Sequence, residues 1–255
     1  LIMYTAYFLD KYQKYISDWK FMLIKFTPTI SFTLFLILMQ PDLSSTFIIG
    51  TIIFVMLIIG KVSPKYLTIL LLMSIVAFSI KIISSEYQRE RLMNWIQPSE
   101  TIGDIQQHAS KLALGRGELI GKGIGSSRLK NGHLPAAHTD FVFAILGEEY
   151  GFLGIVVLFI CFGIIFHFGI QILKIAPDRF GLFLALGIIL NLIFYFLINV
   201  AYVVGLAPNT GLTMPFLSYG GSNTIFTLGA VGILISIVRD ASNGMKTYHK
   251  RLINV

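Results

Sequence analysis

At 255 residues, 55% hydrophobic and only 13% charged, the chain is too poor in charge for a water-soluble domain, where about a quarter of residues are charged. A net charge of +7 does not make it a nucleic-acid binder, because the basic residues alternate with long apolar runs and form no continuous patch. The one cysteine, Cys161, lies inside an apolar run and excludes a disulfide framework.

The N-terminal LIMYTAYFL meets a charged stretch without a small-residue cleavage pattern. It reads as the tail of a helix already in progress and not as a signal peptide, so the chain is expected to be a fragment or a truncated product. Six complete membrane spans are predicted, at roughly 21–39, 45–60, 66–84, 141–173, 180–205 and 215–238, with a partial one at 1–9. The expected fold is therefore an all-α polytopic bundle, a single transmembrane domain over 1–255. Pro41, Pro64 and Pro208 fall between spans, and Pro28 falls near a helix start, where a missing backbone donor is tolerated.

Loop charge gives the orientation. Lys11, Lys14, Lys20 and Lys25 precede the first full span, and Lys61 and Lys65 follow the second. Lys174 and Arg179 separate the fourth and fifth, and Arg239, Lys246, Lys250 and Arg251 follow the sixth. The short loops at 40–44 and 206–214 carry no Lys or Arg. Every second loop is thus basic, which places those loops and the C-terminus in the cytoplasm and the long loop at 85–140 outside. That loop is neither low-complexity nor Ser/Pro-rich, and it is expected to be ordered and functional.

Chemistry concentrates where the outer loop ends. In LPAAHTDF (134–141), Asp140 stands with His138 and Thr139 at the membrane's outer face, followed by Glu148 and Glu149 within the apolar segment. Ionisable groups at membrane depth mark functional sites. On a continuous helix Asp140 and Glu148 would share a face about 12 Å apart. Asp140 is placed to act as general base on a hydroxyl offered from outside; the alternative is that it caps the helix while the two glutamates pair with neighbouring cations. GRGELIGKGIG (115–125) superficially matches a dinucleotide fingerprint, but it follows no strand and lies on the wrong side for such a cofactor. With Arg116, Lys122, Arg128 and Lys130 nearby, it is either a phosphate cradle or a basic loop on anionic lipid. Asn191, Tyr195, Asn199 and Tyr202 fall on one helical face and are read as interhelical hydrogen-bond glue. His108, His133 and His138 lack metal-ligand spacing.

Four stretches, in order, resemble the SEDS family of shape, elongation, division and sporulation proteins, whose members include RodA and FtsW. They are QPDLSST (40–46), YQRERL (87–92), GRGELIGKGIGSSRLKNGHLPAAHTDFVFAILGEEYGFLG (115–154) and GLAPNTGLTMPFLSYGGSN (205–223). The GRGEL and GLTMPFLSYGG forms look more like the FtsW division branch. The resemblance implies a bacterial inner-membrane peptidoglycan glycosyltransferase that polymerises lipid II. An acceptor sugar's 4-hydroxyl would attack, with inversion, the anomeric carbon of a strand on undecaprenyl pyrophosphate. It implies Asp140 as the catalytic carboxylate, with Arg116, Lys122, His138 and Glu148 as substrate-binding residues. A divalent cation (Mg or Mn) would be a possible aid to the leaving group. Implied partners are lipid II and the growing glycan strand, a class B penicillin-binding protein and other divisome membrane proteins. About four early helices of the family have no counterpart before Leu1. Ala136 stands where relatives commonly carry Glu, Tyr195 where Gln is common, and Ser44 where Gly is frequent. A lipid II flippase and a non-catalytic scaffold for a transpeptidase are the competing readings.

Overall fold

Backbone polar groups in hydrocarbon must be satisfied within their own segment, and a chain this apolar answers with helices. The computed structural model describes residues 1–40, 42–97, 102–128 and 139–253, with side chains described throughout except at 102–105 and 244–253. Among the described residues there are helices and no strands: α1 (Ile2–Lys11), α2 (Trp19–Lys25), α3 (Thr27–Met39), α4 (Leu43–Ile59), α5 (Pro64–Ser84), α6 (Glu86–Ile96), α7 (Ile102–Gly117), α8 (Val142–Ile175), α9 (Arg179–Val203) and α10 (Gly221–Ile253).

Helices α5, α8, α9 and the Gly221–Asn243 part of α10 are each long and apolar enough to cross a bilayer; α2 with α3 makes a fifth when the pair is taken as one bent span. This is a multi-pass membrane protein. The predicted span at 21–39 is that pair, bent by 48° where Phe26 caps α2 and Pro28 opens α3, a residue with no N–H to continue the ladder. The predicted span at 45–60 is α4, whose 17 residues reach only about 25 Å. The last span starts at Gly221 and not at 215. Met214 and Ser218 close a turn there, Met214 N–H donating to Ser218 Oγ at 2.7 Å and Ser218 N–H to the Met214 carbonyl at 3.1 Å. The long loop at 85–140 contains two helices of its own, α6 and α7.

The chain divides into two compact units. The first comprises Leu1–Phe78, Phe166–Asn191 and Leu228–Val255. Its core sets Phe8, Leu9, Met22 and Phe26 from the N-terminal helices against Ile52, Ile53, Met56 and Leu57 of α4. Tyr66 is fully buried, and its hydroxyl meets Thr27 Oγ1 at 2.9 Å. Beyond Tyr66, α5 buries nothing: Leu72, Ile75, Val76 and Ile80 all lie exposed. Such a face suits lipid and would be a liability in water.

The QPDLSST stretch has a local explanation here. Asp42 is the N-cap of α4, accepting from Ser45 N–H at 2.9 Å and Ser45 Oγ at 2.6 Å. Removing a cap of this kind costs about 1 kcal/mol. Asp42→Ala should therefore lower thermal stability in detergent by roughly that amount, whereas Asp42→Asn should largely retain it.

The second unit comprises Ser79–Ile165 and Leu192–Thr227, and all of the chemistry below lies within it. Its core packs Phe141, Phe143, Ala144 and Ile145 with Leu158, Phe162, Phe196, Tyr202 and Met214. Phe162 stacks on Phe196 at 3.8 Å between centroids, and Phe141 meets Tyr202 edge-on at 5.6 Å.

Candidate functional site

A helix ends with carbonyls that have no partner in the helix itself, and these need donors. α9 ends in a Schellman turn: Leu206 N–H returns to the Ala201 carbonyl at 2.8 Å, with Gly205 in the left-handed region at φ 89°. Carbonyls at and just past this end also accept from α6 and α7. Gln107 Nε2 donates to Tyr202 O at 2.7 Å and Ala207 O at 3.0 Å, Ser110 Oγ to Val203 O at 3.0 Å, and Trp95 Nε1 to Gly205 O at 3.1 Å. Both helices of the long loop are thereby mounted on the end of α9.

The polar face of α9 fastens two further backbone segments. Asn199 is wholly buried; its Nδ2 reaches Leu212 O at 2.7 Å and Asp140 O at 3.0 Å. The Tyr202 hydroxyl donates to Asp140 O and lies 3.2 Å from Leu212 O. The glue expected between helices thus acts, for these two residues, on loop carbonyls. It brings residues 139–140 alongside residues 211–212.

What results is a carboxylate in a defined setting. Asp140 lies in the turn ahead of α8, one residue before the buried Phe141, with its carboxyl half-buried. A methyl-sized point above Gly211 would lie 3.6 Å from Asp140 Oδ2 and 3.9 Å from Nη2 of Arg91. That small space, open because residue 211 has no side chain, is bordered by the acid and a guanidinium. Arg91 belongs to α6 and lies over the Tyr87 ring at 5.4 Å. Burial pushes the Asp140 carboxyl above its ordinary value; a hydrogen bond from Thr139 and the charge of Arg91 oppose that rise without cancelling it. Asp140 does not share a helical face with Glu148, since α8 begins only at Val142.

Glu148 has a different setting. It is 2% exposed, and its Oε2 accepts from the buried Ser127 hydroxyl at 2.7 Å instead of from a cation. It belongs to a backbone join between the Gly-rich loop and α8. Lys122 N–H donates to Glu148 O at 3.0 Å and Gly123 N–H to Glu149 O at 3.1 Å. In return Phe152 N–H reaches Glu118 O at 2.9 Å and Leu153 N–H reaches Leu119 O at 3.1 Å. α8 is broken at this point: Gly151, at φ 66° and ψ −163°, interrupts the helix. The chains approach so closely that a Cβ on Gly121 would sit 2.2 Å from Glu149 O, and one on Gly117 1.9 Å from Gly147 O. Gly117 and Gly121 of GRGELIGKGIG thus admit another backbone, and two of the N–H groups expected to cradle a phosphate are already engaged.

Arg116, in the last turn of α7, and Lys122, on this loop, are both exposed, and Lys122 Nζ pairs with Glu118 at 2.7 Å. His138 lies outside the described residues. Sequence reasoning did not single out Arg91 or Gly211 as site residues. The signal for Arg91 was two arginines in YQRERL within a chain otherwise short of charge.

Fold and site together define a multi-pass helical membrane protein with a guanidinium-flanked carboxylate where a loop meets a span. The family model of cell cycle proteins covering FtsW, RodA and SpoVE matches residues 1–243, and the chain belongs to that family. A probable peptidoglycan glycosyltransferase FtsW of Geobacter metallireducens is 37% identical over 239 residues, 93% of this chain and 64% of that protein. Stage V sporulation protein E of Bacillus subtilis is 39% identical over 245 residues, 94% of this chain and 66% of the relative. A solved structure described as the structural coordination of polymerization and crosslinking by a peptidoglycan synthase complex is 27% identical, with a TM-score of 0.64 over 82% of this chain and 59% of that one. The chain therefore spans a little under two thirds of the length of these curated relatives.

Proposed function

We propose that this chain carries the acceptor-activating part of a peptidoglycan glycosyltransferase that polymerises lipid II in bacterial division. Asp140 takes the proton from the acceptor sugar's 4-hydroxyl as that oxygen bonds to the anomeric carbon of the donor strand. The bond from that carbon to the pyrophosphate breaks, undecaprenyl pyrophosphate departs with the electron pair, and the anomeric configuration inverts. The observation that carries this reading is the half-buried Asp140 carboxyl facing Arg91 across the space over Gly211. A carboxyl whose affinity for protons is raised by burial is a better base once ionised, and a neighbouring cation favours that ionised form.

In this reading the loop at 85–140 faces outward, the C-terminus is cytoplasmic, and the bacterial inner membrane is crossed six times with a partial span at the start. Arg116, Lys122 and His138 meet the donor's pyrophosphate, whereas Glu148 holds the loop against α8. Among the described residues no three His, Cys, Asp or Glu side chains are grouped to hold a metal ion, so those residues do not fit a resident divalent cation. Any such ion is proposed to arrive with the pyrophosphate. A class B penicillin-binding protein and other divisome membrane proteins are the proposed partners. The test is polymerisation of labelled lipid II by the full-length protein together with that transpeptidase. Glycan strands are the expected product; their complete absence from a folded, assembled complex would reject the reading.

A further inference from the structure

One surface of the second unit is left unexplained by this chemistry. Leu119, Ile120 and Ile124 of the Gly-rich loop are 66%, 78% and 78% exposed, an unusual state for large aliphatic side chains outside a span. They are interleaved with the exposed cations Arg116, Lys122 and Arg128. The loop is also held rigidly, by the four backbone hydrogen bonds to residues 148–153 and by Ser127 on Glu148. Those bonds set Leu119 directly beside Phe152 and Leu153, themselves 56% and 57% exposed, which open the apolar run of α8 that follows the break at Gly151.

We propose that this loop is a membrane anchor, in which Leu119, Ile120 and Ile124 insert among the acyl chains while Arg116, Lys122 and Arg128 lie at the level of anionic headgroups, the depth at which Arg116 and Lys122 also meet the donor's pyrophosphate once it is bound. The occupant follows from continuity: the backbone pairing joins the loop at Leu119 to the exposed apolar residues Phe152 and Leu153 of α8. The pattern of aliphatic tips between cations is that of interfacial segments. Because the loop is already fixed by its bonds to α8, little conformational freedom is lost on insertion. Bulk lipid is the ligand, and the anchor forms without any lipid-linked substrate. The inference rests on α8 crossing the membrane.

The experiment uses the full-length protein carrying Cys161→Ser and one new cysteine at 120, 124, 118 or 159, labelled with a nitroxide and placed in vesicles. Position 118 reports a water-exposed site on the same loop, and position 159 a lipid-facing site within α8. In vesicles containing phosphatidylglycerol but no polyprenyl lipid, labels at 120 and 124 should contact oxygen in the bilayer and be shielded from a water-soluble nickel chelate. The label at 118 should behave oppositely. Labels at 120 and 124 as open to the chelate as 118, with 159 still lipid-embedded, overturn the anchor and spare α8 as a span. If 159 itself meets the chelate, the membrane reading of α8 fails and the anchor with it. Shielding that appears only after undecaprenyl pyrophosphate is added assigns the surface to the substrate and overturns the proposal, and equal shielding in pure phosphatidylcholine overturns the role given to the cations.

Discussion

Asp140→Asn in the full-length protein should reduce glycan polymerisation by about 10²–10⁴-fold, the span over which a positioned general base usually contributes. The fold should survive the change. Burial already favours the neutral form of this carboxyl, so its native-state pKa lies above its unfolded one. Its titration contributes stability that is present at low pH and lost as pH rises through the native value. An amide, permanently neutral and nearly the same shape, avoids that loss, so near neutrality the variant should be at least as stable as the wild type. Activity runs the other way. In the proposed reaction the base must be ionised, so the rate should fall as pH drops through a value above that of an ordinary aspartate. Arg91 lowers the Asp140 pKa, and Arg91→Gln should therefore move this acid limb to still higher pH. A purely structural Arg91 would change the amount of folded protein and leave the limb in place. A pH–rate profile of wild type, Arg91→Gln and Arg91→Lys separates the two, and full activity in Asp140→Asn would remove the aspartate from the mechanism.

Gly121→Ala should cost about 3–5 kcal/mol, since it combines backbone overpacking with a left-handed conformation that alanine resists. The three atoms nearest the added methyl are all main chain, at 2.2 Å for Glu149 O, 2.5 Å for Glu149 C and 2.7 Å for Gly151 N, with φ at 88°. At these closest contacts it is backbone, and not the far end of a flexible side chain, that must shift. The adjacent bonds from Lys122 and Gly123 to α8 should be lost with it. Gly115, in the same motif but inside α7 with nothing within 4 Å, supplies the contrast. Gly115→Ala should stabilise by about 0.5–1 kcal/mol through helix propensity alone. Thermal unfolding of the two variants in one detergent decides the matter, and similar melting temperatures would show that the close approach at Gly121 is not needed.

Much of this was legible in sequence, and the reasons differ from element to element. Spans could be read because hydropathy is a local property, and α5, α8 and α9 fall within a few residues of their predicted places. Their breaks were harder. Pro28 marked one, but Gly151 breaks α8 only because a second backbone presses against it, and that partner is thirty residues earlier in the chain. The start of α10 was placed too early because Pro215, Phe216 and Leu217 count as apolar while forming a turn. α6 and α7 were missed as helices because their polarity offers no membrane signal and their carriers are the end carbonyls of α9. Asp140 stood out as an ionisable group at a membrane boundary, a rare and expensive placement. Its surroundings did not, because the acceptors that fix it are main-chain carbonyls, which any residue supplies.

The mounting on α9 has a kinetic corollary. Asn199 and Tyr202 each touch both Asp140 O and Leu212 O, so neither strand of the site can lift away without disturbing the side chains that retain the other. Local opening there is a single cooperative event, not two independent ones. In the proposed reaction, a sugar that immobilises the 211–212 segment would already have met the entropic cost of fixing the base, making acceptor binding and acid–base readiness two readings of one equilibrium.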